Sequence, residues 1–556
     1  MNKNELIDHF TIELLDNLFS GWNLNADPAS PQAEKIRELF KRSGLDKQTG
    51  NIVDLFKMLK LARDRQGLSP QAFDISRQDL TGLALKHQQI DEHRVSVGGR
   101  VNKALPIVAE AGSRIEWYLE QKDVSAPSGI QLWDRIEQNH SRIRQLLGMN
   151  MEDWNSFSGQ LRFAVESVDT LGEILNLPPE VIEEVSRVNR NYRMRLTPYY
   201  AGLIMPETLD DPVLLQAVPT GEMLDNAGIE IPPVAADHSP ARLIDQFYPR
   251  VVTIKATNMC AMYCTHCLRI AHIGKKDRIY PGEAYAEAIK YIRDDSRIRD
   301  VLITGGDAFM LPDEMLLRLL DELDSIDHVR VKRLGTRIPV TTPQRITGKL
   351  LDILEMSNDR KPLRIVTQIN TAQEVTPVSR EAFKQLSRRV SAVMNQAVLL
   401  KGINDTRVKM WKLCETIQEA YVRPYYIFNC SYRNPQFAHL RVPVKTGQDI
   451  VESMYGNISG DAIPRFIATA GGKIPLHSSN VSGADGSELI LRKPWSGEEV
   501  RYPDPDPAEY VRQDTAFNKF EKNDGHDAGD QGREPCRPKG QENLPVPGKG
   551  EKERAI

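Results

Sequence analysis

The sequence predicts an α/β protein: a partial (β/α)6 barrel, preceded by a helical amino-terminal region and followed by a small lysine-bearing segment. From 251 to about 456, a short β-branched strand followed by an amphipathic helix recurs six times. Such alternation implies a parallel sheet with right-handed crossovers. The strands read as 251–257, Val301–Thr304, Val329–Leu334, Leu363–Ile369, Ala392–Leu400 and Val422–Phe428. Helical segments such as Gly282–Arg293, Asp313–Ile326 and Val408–Ala420 separate them. Residues with chemistry to offer fall at the carboxyl ends of these strands, where barrels collect function.

The rest of the chain divides around that core. Residues 1–128 carry helical apolar stripes (Leu6, Phe10, Leu14, Leu15, Phe19, then Ile52, Leu55, Phe56, Leu59, Leu61) and no legible chemistry. Ser125-Ala-Pro-Ser-Gly129 marks a break, and 129–245 is again mainly helical, with Pro178 and Pro179 where a helix would start. The barrel occupies 246–456. In 457–504, Ala468-Thr-Ala-Gly-Gly-Lys-Ile-Pro475 precedes a hairpin, Glu488–Arg492 with Glu498–Tyr502, turning at Trp495-Ser-Gly497. Residues 505–556 turn to Gly, Pro and charge, a composition that predicts disorder.

At 556 residues the chain exceeds one ordinary domain, and 40% hydrophobic with 27% charged residues is the composition of a soluble globular protein. A net charge of -4 makes no electrostatic case for nucleic acid or an anionic membrane. The polar start lacks a signal-peptide core, and no window approaches the ~18 apolar residues of a span. Sparse cysteines fit a reducing cytoplasm.

Of six cysteines, three fall within eight positions directly after the first strand: Cys260, Cys264 and Cys267, spaced C-x3-C-x2-C. Three thiolates in one loop can hold three irons of a cubane cluster and leave the fourth iron open for a ligand. A three-cysteine zinc site or a buried cysteine loop is the alternative. Cys414 and Cys430 read as buried structural thiols, and Cys536 lies in the polar tail. The spacing resembles the signature of radical S-adenosylmethionine (SAM) enzymes, including an aromatic-type residue, His266, before the third cysteine. The resemblance implies a [4Fe-4S] cluster whose open iron takes SAM.

Two further features gain meaning from position. Strand two ends in Ile303-Thr-Gly-Gly-Asp307, where glycines allow close backbone approach and Asp307 can pair with an ammonium group. One strand after the cysteines, Gly305, Gly306 and Asp307 resemble the radical SAM element that holds the methionine amino group. Lys473, behind Gly471-Gly472, has the backbone clearance that an amine carrying a bulky cofactor needs, although a solvated lysine in a glycine turn would look the same.

From about Trp133 to Tyr502 the chain resembles the lysine 2,3-aminomutase family, radical SAM enzymes that also use pyridoxal 5′-phosphate (PLP). The matching stretches include Arg193-Met-Arg-Leu-Thr-Pro-Tyr-Tyr200, Tyr248-Pro249, Cys260–Cys267 and Leu302–Ala308. Thr336-Arg-Ile-Pro339, Pro343-Gln-Arg-Ile346, Asn395-Gln396, Leu399–Asp405, Arg423-Pro-Tyr-Tyr-Ile427 and Gly471–Pro475 continue them. The resemblance implies that Lys473 carries PLP as a Schiff base and that Arg269 clamps the substrate carboxylate. Asn395 and Gln396 would help hold SAM or PLP. It further implies an amino acid substrate, an electron donor such as flavodoxin or ferredoxin, and a homo-oligomer.

Departures from the family bear on the substrate. Lysine-specific members carry two aspartates for the distal ammonium, whereas here Ser431 follows Cys430 and Thr469 stands before a shortened glycine run. A cationic side chain without a buried carboxylate would be several kcal/mol worse off, which argues against lysine and toward a neutral polar or small side chain. Glutamate-specific relatives have lysine and asparagine at these places, which Ser431 and Thr469 also fail to match. Phe247 replaces one of the arginines that flank Tyr-Pro and grip the PLP phosphate, leaving Arg250. Thr406 stands where some members place a zinc-ligating cysteine, so no zinc is expected there. Lysine 2,3-aminomutase proper, another radical SAM reaction such as epimerisation, and a non-catalytic homologue stay open as alternatives.

Overall fold

A computed structural model describes residues 115–205, 208–225, 239–508 and 510. The chain divides into two compact units, and the described residues all belong to the second, Ser113–Ile556. The early apolar stripes, the loop at 231–234 and the tail beyond 510 lie outside the described residues.

A nine-stranded sheet runs in sequence order. Its strands are β1 (Ile244–Tyr248), β2 (Val251–Thr257), β3 (Asp300–Gly305), β4 (Val331–Gly335), β5 (Leu363–Thr367), β6 (Ala392–Leu399), β7 (Arg423–Asn429), β8 (Arg465–Thr469) and β9 (Lys473–Pro475). Strands β2 to β8 pair in parallel, and β1 and β9 are antiparallel edges. All six expected strands are present, with Val329 and Arg330 left outside β4 and Ile369 outside β5. The sheet also gains β1, β8 and β9, which stand outside the strand–helix repeat that marked the others. Helices Gly282–Asp294, Asp313–Asp324, Gly348–Arg360, Pro377–Ser387, Arg407–Glu419 and Val444–Glu452 follow strands β2 to β7 in turn.

The two edges of the sheet meet without a ladder between them. The Lys473 N–H donates to Tyr248 Oη at 2.7 Å, so a side-chain hydrogen bond joins β9 to β1 and curls the sheet into a partial barrel. The expected hairpin forms as β11 (Glu488–Arg492) and β12 (Glu499–Pro503), widened by an unexpected third strand, β10 (Val481–Asp485). In the amino-terminal region, Pro179 occupies the first turn of helix Pro179–Asn189, where its missing N–H is no loss. Residues 115–125 are helical, and Tyr118 and Asp123 reach Glu415 and Lys412 on helix Arg407–Glu419. No described helix is long and apolar enough to cross a membrane.

Alternation along each strand separates two faces. Val252, Ile254, Val301, Ile303 and Leu334 are buried under the helices. Thr253, Lys255, Asp300, Leu302, Arg333 and Arg364 alternate with them and line the inner face. Lys332 is the polar exception on the helix side. It is fully buried, and its Nζ bonds Asp324, the Ser357 hydroxyl and the Ser357 carbonyl oxygen. A buried pair of this kind depends on both partners. Lys332→Met should lower stability by roughly 3–5 kcal/mol in urea unfolding, and adding Asp324→Leu should restore most of the loss.

Candidate active site

The three cysteines sit on the loop that follows β2, and several anchors shape it. Asn258 is buried and donates to the Ile273 and Lys276 carbonyls at 2.9 Å each, while its Oδ1 accepts from Arg278 N at 2.8 Å. Thr265 bonds Leu215 O through its hydroxyl and Gln216 O through its N–H, both at 2.9 Å. Tyr263 N donates to Arg195 O at 3.2 Å, and the Arg193 guanidinium stacks 4.3 Å over the Tyr263 ring. The amino-terminal segment thus clamps the loop from outside. Cys260, Cys264 and Cys267 share the wall of one cavity of about 220 Å³.

Arg337, on the loop after β4, reaches one of the same cysteines, Cys264, from the other side. Its Nη1 donates to Cys264 Sγ at 2.9 Å. Its Nη2 donates to Glu374 Oε1 at 2.6 Å and Gln216 Oε1 at 2.8 Å, and its Nε to Gln368 O at 3.1 Å. Tyr200 Oη also bonds Glu374 Oε1, at 2.9 Å. Arg337 and Tyr200 lie within stretches that match the family, Glu374 and Gln216 outside them, and no local spacing marks the four as partners. Only the fold brings them together.

The Gly305-Gly306 turn packs against the cysteine loop backbone to backbone. Gly306 N donates to Thr257 O at 2.5 Å and Asp307 N to Met259 O at 2.8 Å. Gly305 has φ +115°, and a Cβ on either glycine would lie 2.2 Å from the Thr257 or Met259 carbonyl oxygen. Asp307 is buried, and its carboxylate accepts from Phe309 N at 2.9 Å and Arg337 N at 2.5 Å. It therefore holds the turn in shape, which leaves backbone groups of the turn to face a ligand. His266 is buried beside the cysteines, near Gln368 and Asn370 at 3.4 and 3.3 Å. Burial and the nearby Arg337 charge push its pKa down to about 3, so the ring is neutral, and its Nδ1 is buried with no partner.

Lys473 opens β9, and its amine lies over the Tyr426 and Phe428 rings, 4.8 and 5.6 Å from their centroids. Burial, then the Arg333 charge, lowers its pKa to about 8, against the pull of Asp300. Such an amine stays mainly protonated near physiological pH but holds far more of the neutral, nucleophilic form than a free lysine. Gly472 has φ +137°, and a Cβ there would strike the Trp495 ring 2.6 Å away. The remaining expected residues spread around this face. Arg269 Nη1 donates to Thr304 Oγ1 at 3.0 Å on the inner face. Gln396 is half-buried on β6 opposite Tyr426, whereas both polar atoms of the Asn395 amide bond the Ile369 backbone. Thr469 is half-buried at the end of β8, and Ser431 is buried with its Oγ accepting from Arg433 N at 3.2 Å. Arg250 is exposed on the β1–β2 turn.

These residues suit the implied groups. Three sulfurs on one cavity beside a guanidinium can ligate a cluster, and the cations offset its thiolate charge. Among the described residues no three His, Cys, Asp or Glu side chains converge on a single ion. Cluster cysteines each take a different iron and need no such convergence. The unpartnered His266 Nδ1 would offer a polar atom to a ligand on the cluster, while the glycine turn lets the two loops that would frame it pack in direct backbone contact.

The chain is 35% identical over 414 residues to the glutamate 2,3-aminomutase of Clostridioides difficile (strain 630), covering 74% of this chain and 96% of that protein. It is 37% identical over 358 residues to the L-lysine 2,3-aminomutase of Clostridium subterminale, covering 64% and 85%. The corresponding Bacillus subtilis (strain 168) protein is 36% identical over 379 residues, covering 67% and 79%. No family model matches.

Two outcomes follow from the geometry. Gly306→Ala should lower stability by about 2 kcal/mol through forced separation of two loops, and the purified protein should retain less iron than wild type. Because the lowered pKa leaves more neutral amine as pH rises, covalent labelling of Lys473 should increase through a midpoint near pH 8. An unperturbed lysine would titrate near pH 10.5, and peptide mass spectrometry across a pH series separates the two.

Proposed function

The chain belongs to the amino acid 2,3-aminomutase family, and from that premise we propose that it moves the α-amino group of an amino acid to the β-carbon, by radical SAM chemistry assisted by PLP. The observation that carries this reading is the Lys473 amine, its pKa lowered over two aromatic rings, on an inner barrel face that also presents Arg269. A cluster with SAM supplies a hydrogen-abstracting radical, and PLP supplies an electron sink for the migrating nitrogen.

The chain's own residues bind, orient and shield. Cys260, Cys264 and Cys267 would hold the cluster, with Arg337 donating to the Cys264 sulfur and lowering its electron density. His266, the Gly305-Gly306 turn and Gln396 would position SAM. Lys473 would hold PLP, and Arg269 would take the substrate carboxylate by a guanidinium fork. Lys473, Arg333 and Gln396 are half-buried on this face, a partial withdrawal from water that protects a reactive centre. A flavodoxin- or ferredoxin-type donor would supply the electron.

The substrate side chain is one without positive charge. The inner-face carboxylates Asp245 and Asp300 are already paired, with Lys255 at 2.9 Å and with Arg333 at 2.7 Å. Ser431 and Thr469 offer hydroxyls in place of charge. A distal ammonium would therefore be desolvated without a partner.

The test is anaerobic incubation with SAM, PLP, a reductant and a pool of common amino acids, followed by chromatography with mass detection. A β-amino isomer of one non-basic amino acid is expected, and Lys473→Ala and Cys264→Ala should each abolish it. A β-lysine product would overturn the substrate reading. 5′-Deoxyadenosine without any isomer would overturn the aminomutase reading.

A further inference from the structure

The sequence departs from its family where the PLP phosphate is gripped, and the inner face of the barrel holds an alternative. Phe247, at the place of one flanking arginine, is 51% exposed. Arg250 is exposed on the turn, its carbonyl oxygen occupied by Arg299 N and Asp300 N at 3.0 and 3.2 Å. Two strands further on, Arg333 of β4 and Arg364 of β5 are direct cross-strand partners on the inner face. Arg333 is balanced by Asp300, its Nε donating to Oδ1 at 2.7 Å. Arg364 is half-buried and has no carboxylate partner among the described residues. Its other cross-strand neighbour, Ala392 of β6, is too small to cover it.

Like charges directly opposite on adjacent strands repel, and a half-buried guanidinium without a partner is costly. An anion between Arg333 and Arg364 would remove both penalties. Its place relative to Lys473 is suitable. Arg333 is registered with Leu302, two residues below the Thr304 that holds Arg269, so the two guanidinium levels stand about 7 Å apart along the strand direction. Both levels bear on the Lys473 amine electrostatically. In PLP the phosphate ester is carried by the ring carbon next to the one that bears the lysine linkage, so the phosphate must be anchored close to that amine. One level is then free for the substrate carboxylate and the other for the phosphate.

We propose that Arg364 and Arg333, on the inner face of β5 and β4, grip the PLP phosphate in this chain, in place of an arginine pair flanking Tyr248-Pro249. This rests on the reading of Lys473 as the PLP-bearing residue. The bland alternative is that Arg364 extends through the amino-terminal mouth of the barrel into water.

Equilibrium binding decides between them, read by the long-wavelength absorbance of the lysine-bound cofactor in the full-length protein. PLP is compared with pyridoxal, which has the same ring and aldehyde but no phosphate. Arg364→Ala and Arg364→Gln should each weaken PLP by about tenfold or more and leave pyridoxal within about twofold, as expected for a lost charge-assisted contact. Arg250→Ala should leave PLP affinity within the same twofold. In the wild type, inorganic phosphate should compete with PLP and not with pyridoxal. Unchanged PLP affinity in both Arg364 variants, equal loss of PLP and pyridoxal, or a large loss in Arg250→Ala would each overturn the proposal. If the wild type binds neither compound at Lys473, the PLP reading itself fails and the phosphate grip falls with it.

Discussion

The buried pair between Arg337 and Glu374 is the constraint on which the site depends. Arg337 is only 8% exposed, and Glu374 is fully buried. Neither charge could stay there without the other, because a lone buried ion is strongly disfavoured. The remaining donors are also used, on Cys264, Gln216 and the Gln368 carbonyl. Glu374 in turn accepts from Tyr200 and from the Asn370 and Thr371 N–H groups. One ion pair thus locks the loops after β4 and β5 to the cysteine loop and to two turns of the amino-terminal region. The pair fixes where the Cys264 sulfur stands, and with it the geometry available to a cluster.

A second constraint lies across the barrel. The Tyr248–Lys473 hydrogen bond joins edges that share no ladder, and it places the lysine at the seam. Gly472 admits the Trp495 ring beside that seam, since any side chain there would collide with it. The amine is therefore directed inward, over Tyr426 and Phe428, instead of into solvent. Burial and neighbouring guanidinium groups then make it a better nucleophile than a free lysine. The inner face carries more cation than carboxylate around this amine, a balance suited to ligands that bring a phosphate and a carboxylate.

Much of this architecture was legible in the chain. Six strands and their helices carried strong periodicity because each strand buries a β-branched face under a helix that must be amphipathic. The cysteine spacing, the Gly-Gly-Asp turn and the Gly-Gly-Lys turn were visible because local chemistry demands those residues at those intervals. β1, β8, β9 and β10 were not, since they stand outside the strand–helix repeat and carry at most two β-branched residues each. Asp307 illustrates a different limit. Its position in the motif suggested a ligand contact, and the fold adds a second use, its carboxylate accepting from the Phe309 and Arg337 N–H groups, which depends on how the loop folds back.

By itself the sequence determined the parallel α/β core, the three-cysteine loop, the lysine behind paired glycines, and the absence of aspartates at the places of Ser431 and Thr469. These are properties of residue type and interval, which survive without coordinates. Only the tertiary structure decided that Arg337 serves Cys264 and Glu374 together, that the Arg333 and Arg269 charges act on Lys473, and that Arg364 stands unpaired beside Arg333. Each of those facts joins residues far apart in the chain. A sheet that curls until its edges meet creates such neighbours, and no local pattern records them.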